Sequence, residues 1–155
     1  MSGKIDARLK ELGIELTPAT APVANYVPYT ICGNLLVVSG QVSVRGGKAE
    51  FVGKLGRDLD LADGRLAARL CALNILAHVK NACGGDLDRV KQVLRLGGFV
   101  NCVPGFIDMP QVVNGASDLM VEIFGDAGKH ARAAVGVSSL PLGVAVEVEA
   151  MFELA

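Results

Sequence analysis

Residues 129–155 read KHARAAVGVSSLPLGVAVEVEAMFELA, and two strand-like runs flank Leu140-Pro141-Leu142-Gly143. Small and β-branched residues on either side of such a tetrapeptide predict a hairpin. The first run opens with a lone cation, Arg132, and continues in Ala, Val and Gly; the second sets Glu147 and Glu149 between valines. Side chains alternate across a strand, so Val144, Val146, Val148, Ala150 and Phe152 form a row predicted to lie under helices. Ala145, Glu147, Glu149 and Met151 fall on the other face. With Ser139 opposite Val144, the hairpin register predicts Arg132, Ala134, Gly136 and Ser138 on the face of the two glutamates. The plainer reading of that face is solvated ion pairs, which contribute about 0–1 kcal/mol each. Its neighbours, Ala134, Gly136, Ala145 and Met151, suit a face pressed against another subunit instead. An arginine in a small, partly dry pocket is fitted to grip a planar carboxylate through two parallel hydrogen bonds. A nearby glutamate can orient a water or move a proton.

The rest of the composition narrows the field. The chain has 155 residues, a length that predicts one domain over 1–155. Hydrophobic residues make up 51% and the mean hydropathy is +0.42. No run approaches the roughly 18 uninterrupted apolar residues of a membrane helix, and the start, MSGKIDARLKEL, has no apolar signal core. Both features predict a cytoplasmic protein that hides apolar surface against copies of itself. Net charge is −1, with no Trp and no basic run, so no nucleic-acid footprint is expected. Cys32, Cys71, Cys83 and Cys102 are widely spaced and, with His78 and His130, match no usual zinc spacing. They are expected to be buried, reduced thiols; no metal or cofactor is implied.

Ile5, Leu9 and Leu12 predict a short N-terminal helix ending at Gly13, followed by a proline-marked extended connection within residues 1–19 and just beyond. Two strands are predicted to meet at Gly33-Asn34, and a second tight turn at Gly46-Gly47 leads into AEFVG as the returning third strand. Asp60 caps a predicted helix reaching about Cys83, its stripe Leu66, Leu70, Leu73 and Ala77. VKQVLRLGGFVNCV switches to strand period, bent at Gly97-Gly98. A second helix is predicted from about Pro110 to Phe124. The order β-β-β-α-β-α-β-β gives an α+β fold: a mixed six-stranded sheet, two helices on one face, plus the short N-terminal helix. The opposite face then needs another cover.

The run AlaArgAlaAlaValGlyVal, then LeuPro, then ValGluValGluAla resembles the C-terminal signature of the RidA family, also called YjgF or L-PSP. LeuLeuValValSerGlyGln at 35–41 looks like that family's second signature, and the match spans residue 20 or so to the end. The GGFVNCVPGF insertion and the N-terminal helix resemble a longer subgroup labelled endoribonuclease or chorismate-mutase-like. The resemblance implies a chorismate-mutase-like fold and a homotrimer whose sites lie in clefts between subunits. It implies hydrolysis of enamine and imine intermediates, small 2-imino acids giving 2-oxo acids and ammonia. Arg132 corresponds to the family's carboxylate-binding arginine and Glu147 to the residue that positions water or the leaving amine. Tyr26 corresponds to its site tyrosine, Ser39 and Gly40 to site-lining positions, and Asn114 to an asparagine at the start of the second helix. The sequence departs from the pattern at Ala134, where the family's cysteine usually stands, at Ala133 and at Asn25. Tyr29 competes with Tyr26. His130 is a candidate for the cleft rim, and Phe106 and Met109 for its entrance, although solvation and core packing are the plainer uses.

Two rivals remain open at the level of sequence. One is a non-catalytic trimeric ligand sensor or protein-binding module, which the missing thiol at Ala134 allows. The other, weaker for want of a basic groove, is an endoribonuclease. Chorismate mutase activity is suggested only by fold analogy.

Overall fold

The computed structural model describes residues 3–19 and 24–155; the middle of the connection after the first helix, residues 20–23, lies outside it. Helix α1 (Lys4–Glu11) buries Leu9 and rests Ile5 and Leu12 on the core. Its own sequence supplies no side-chain cap. Asp88, more than eighty residues away, does so instead, accepting from the backbone N–H groups of Lys4 (2.8 Å) and Ile5 (2.7 Å). Those bonds hold the Asp88 carboxyl below the usual range.

Strands β1 (Tyr29–Cys32) and β2 (Leu35–Val42) meet at Gly33-Asn34 as expected, with Cys32 opposite Leu35 and Gly33 at φ +60°. A two-residue hairpin with glycine first needs that sign. The Gly46-Gly47 turn joins β3 (Val44–Arg45) to β4 (Lys48–Ala49) in a separate two-stranded ribbon. The returning strand is thus shorter than AEFVG. The strands expected in one sheet of six are divided between a five-stranded sheet and this ribbon.

Helix α2 (Leu61–Ala82) starts in a capping box, Asp60 and Asp63 bonding each other's backbone N–H. Of the expected stripe, Leu70 and Ala77 are buried and Leu73 packs against the core, whereas Leu66 is 53% exposed. Ala68, Cys71, Ala72, Ile75, Leu76 and Val79 complete the buried side of the helix. Cys71 and Cys83 are buried as expected, and burial, aided by the charge of Glu147, pushes the Cys71 thiol well up. Cys32 departs from the expectation: it lies exposed on edge strand β1.

Strand β5 (Val90–Asn101) is irregular against β7 at two places, between Val90 and Gln92 and at Leu94 between Val93 and Arg95, and not at the glycines. The bulge hands the core position to Val93 and turns Leu94 outward. Gly97 and Gly98 serve close approach: a Cβ at 97 would meet the Glu149 side chain at 2.8 Å, and one at 98 would meet Val113 at 2.5 Å. Helix α3 (Met109–Phe124) follows, then strand β6 (Ala131–Val137) and strand β7 (Val146–Leu154).

The sheet order is β1-β2-β7-β5-β6. β6 runs parallel to β5, and β7 runs antiparallel to both β2 and β5. The predicted β6–β7 hairpin therefore does not exist. A strand, a helical crossover and a second strand form a βαβ unit, which seats β6 beside β5. The segment 138–145 then carries the chain across the end of β5 through Leu142 and Gly143, both at positive φ. The valine row of β7 goes where expected: Val146, Val148, Ala150 and Phe152 are at most 1% exposed, beneath the helices.

The helices pack through Gly115 of α3, where a Cβ would lie 2.0 Å from the Arg65 carbonyl oxygen of α2. In an isolated helix Gly→Ala gains about 1 kcal/mol. Here Gly115→Ala is expected to destabilise the protein by about 2 kcal/mol through overpacking, read as a lower urea midpoint at unchanged slope.

Candidate active site

The parallel register fixes where Arg132 points. It is level with Leu96, which is level with Ala150, and both of those residues face the helices. Arg132, Ala134 and Gly136 therefore stand on the helix side of edge strand β6. Glu147 and Glu149 stand on the opposite face, level with Phe99 and Gly97. The shared face predicted for Arg132 and Glu147 is thus corrected. It depended on a hairpin register that the crossover removes. Two interstrand spacings, across β5, and three residues separate them, roughly 14 Å between Cα atoms by strand geometry.

Each residue nevertheless anchors a cluster. At the β6 edge, Arg132 Nη1 donates to Asn114 Oδ1 (2.7 Å) and to Ser117 Oγ (3.2 Å). Both partners project from α3 one turn apart. Ser117 Oγ in turn lies 2.9 Å from His130 Nε2, and His130 Nδ1 lies 2.7 Å from the Gly128 carbonyl oxygen. Ala134 sits two residues along from Arg132, partly buried against the core. Phe106 and Met109 also pack partly buried there, which is the plainer of their two expected uses.

Around Glu147, the decisive feature is a bulge in β2. The β2–β7 register shifts between Val38 and Gln41, which leaves Ser39 and Gly40 out of step. Gly40 has no side chain because the Glu147 carboxylate takes its place: a Cβ there would lie 2.5 Å from Oε1. Ser39 donates its hydroxyl to the Val27 carbonyl (2.7 Å), and its N–H bonds to Pro28, clasping the segment that carries Tyr26. Tyr26 is 56% exposed, whereas Tyr29 enters β1 and packs against the core. Tyr26 and Gly40 line a cleft of about 530 Å3 with Pro28, Gln41, Asn74 and His78. Asn74 bonds the carbonyls of Val42 and Val44, joining the ribbon to the sheet. Burial pushes His78 toward its neutral form.

The charges in this region are unequally matched. Six arginines, Arg8, Arg45, Arg57, Arg65, Arg69 and Arg95, pair with carboxylates. Among the described residues Arg132 pairs with none and is held only by neutral groups. Glu149 is paired with Arg95 at 3.1 Å, whereas Glu147 has no cationic partner among the described residues. Desolvation, then the charge of Glu149, pushes the Glu147 carboxyl above the ordinary range. An unneutralised guanidinium can hold an anion, and a half-buried carboxyl with raised affinity for its proton can act as an acid or a base. No cluster of metal-ligating side chains occurs among the described residues, and no helix there is long and apolar enough to cross a membrane.

The sequence reading did not single out Ser117, Asn74 or, for this role, His78. Asn74 and His78 are polar residues four apart on an apolar helix, and that spacing was the available signal. Ser117 lies three residues after Asn114, on the same face.

A family model described as "YjgF/chorismate_mutase-like, putative endoribonuclease" matches residues 6–154. Protein TCP17 of Trypanosoma cruzi is 48% identical over 154 residues, covering 99% of this chain and 96% of that protein. The crystal structure of Atu1372 from Agrobacterium tumefaciens, a protein of unknown function, superposes with a TM-score of 0.91 at 51% identity, covering 97% of this chain and 92% of that one. A Shewanella oneidensis MR-1 protein called a "putative endoribonuclease" superposes with a TM-score of 0.93 at 40% identity, covering 98% of this chain and all of that one (100%).

The raised Glu147 proton affinity has a consequence for stability. A carboxyl raised on folding stabilises the fold while protonated, and that contribution is lost as pH rises through its folded value. Glu147→Gln is therefore expected to melt higher than wild type at neutral pH. The advantage should shrink as pH falls toward 4, measured as melting temperature against pH.

Proposed function

Because the chain belongs to the YjgF/chorismate-mutase-like family, we propose that it hydrolyses small 2-imino acids to 2-oxo acids and ammonia, in sites completed by neighbouring copies of itself. The observation that carries this reading is the guanidinium of Arg132, without a carboxylate partner among the described residues and steadied by Asn114 and Ser117. A planar carboxylate is the ligand such a fork fits best. In this reading the imino acid's carboxylate binds Arg132. Glu147 takes a proton from water as the oxygen attacks the carbon of the protonated imine, giving a neutral carbinolamine. The carboxyl returns that proton to nitrogen; the C–N bond then breaks and ammonia leaves, while the Glu147 carboxylate accepts the hydroxyl proton and the C=O forms. Tyr26, beside Gly40, adds a hydroxyl at the Glu147 end of the site.

One protomer holds the two halves on opposite faces of its sheet, so a complete site needs Arg132 from one copy and Glu147 from another. The second face offers the means of assembly. Val37, Phe99, Val135 and Met151 stand on it in register around the Arg95–Glu149 pair. A homotrimer burying that face supplies both the missing cover and the missing half-site. Apolar cover also dries the cleft, which strengthens the grip on the carboxylate. The endoribonuclease reading finds less support, since Glu147, Glu149 and Glu153 line that face and would repel phosphates.

With 2-aminoacrylate generated in situ, wild-type protein is expected to accelerate ammonia release. Arg132→Ala and Glu147→Gln should each lower that rate by about 100-fold. Co-expressed in one cell, the two inactive variants should recover roughly a quarter of wild-type activity, the share of sites that random mixing leaves whole. An Arg132→Ala protein as fast as wild type would end the proposal. Binding of 2-oxo acids without any ammonia release would favour the sensor.

A further inference from the structure

Among the described residues His130 makes no hydrogen bond to Arg132, yet the hydrogen bonds around it decide how Arg132 is presented. The Gly128 carbonyl can only accept, so the hydrogen 2.7 Å away must sit on His130 Nδ1. In the neutral ring this leaves Nε2 as a lone pair, and the Ser117 hydroxyl 2.9 Å away must donate to it. With its hydrogen so committed, Ser117 turns oxygen lone pairs toward Arg132 and accepts from Nη1 at 3.2 Å. Asn114 Oδ1 accepts from the same nitrogen at 2.7 Å.

A guanidinium Nη carries two hydrogens, and here both Nη1 hydrogens have partners. The Nε–Nη2 edge keeps its two parallel N–H groups without protein partners among the described residues. That edge is the pair a carboxylate takes side-on. A long arginine on an exposed edge strand otherwise samples many rotamers, and ordering it costs entropy on every binding event.

We infer that His130 is a positioning residue: through Ser117, and together with Asn114, it pins Nη1 of Arg132 so that the Nε–Nη2 edge is held ready for the substrate's carboxylate. The inference rests on the carboxylate-binding role proposed for Arg132. It assigns Ser117 and His130 a part in substrate affinity and none in the bond-breaking step. It also commits Ser117 to one role, a hydrogen-bond acceptor toward the guanidinium, for as long as His130 is neutral.

The test uses the full chain, pyruvate as the binding probe and 2-aminoacrylate as substrate. Ser117→Ala and His130→Phe should each weaken pyruvate binding and raise KM by about ten-fold, with kcat nearly unchanged. The double variant should be no worse than either single one, because the two side chains act through one chain of bonds. His130→Gln, whose amide oxygen can take the Ser117 hydrogen, should recover most of the affinity. The Nε–H NMR signal of Arg132, assigned by its loss in Arg132→Ala, should be sharp in wild type and broadened in His130→Phe.

Pyruvate affinity and an Nε–H signal both unmoved in Ser117→Ala and His130→Phe, with binding abolished in Arg132→Ala, would overturn the inference and leave the deaminase reading standing. Loss of pyruvate affinity in all three variants of a protein that releases no ammonia would uphold the inference and sink the deaminase reading instead.

Discussion

The parallel pairing of β5 with β6 is the constraint on which the rest of the molecule depends. Helix α3 must cross the sheet to make that pairing, and its crossing brings Asn114 and Ser117 over the strand that carries Arg132. With the edge filled by β6, the last strand enters the middle, between β2 and β5. There its valines complete the core and its glutamates are driven to the other face. One topological decision therefore separates a cation from the carboxylate it resembles a partner for. It also gives each a surrounding of its own, neutral amide and hydroxyl for the arginine, glycine and a second carboxylate for Glu147.

Glu147 illustrates how a reactive group is kept where it is costly. The β2 bulge removes a regular neighbour, Gly40 withholds a side chain, and Arg95, on the same face, is already paired with Glu149. A fold selected for stability alone would have neutralised or replaced that carboxylate. The valines on either side of it, fully buried beneath the helices, hold its backbone in place. Rigidity from one face of the strand thus supports strain on the other.

Much of this was legible in the residues. The alternation in Val146–Phe152 named the buried face of β7, the Asp60 cap fixed the start of α2, and Gly33-Asn34 fixed the first turn. These signals are local, carried by neighbours in sequence. What failed was non-local. Leu140–Gly143 has hairpin composition, yet nothing within it records that β5 occupies the place beside β7. The face of Arg132 followed that error, since register was inferred from the wrong partner. On α2 Leu70, Leu73 and Ala77 were rightly placed and only Leu66 was not, while the small residues Ala68, Cys71 and Ala72 that widen the buried side carry little signal in sequence. The Asp88 cap on α1 was invisible because its two halves are far apart in the chain. Asn114 was found through family likeness, and Ser117 could have been found by continuing its helical face one turn.

Among the described residues strand β6 has a neighbour on one side only, so its outer backbone groups form an open edge. Such edges invite further strands from other chains, and proteins commonly blunt them with a charge. Of the seven residues Ala131–Val137, Arg132 is the sole charged one. The same guanidinium thus guards the protein against strand-to-strand aggregation. Lysine at this position would retain the guard while lacking the planar fork, so solubility and ligand recognition, joined here in one side chain, are separable by chemistry.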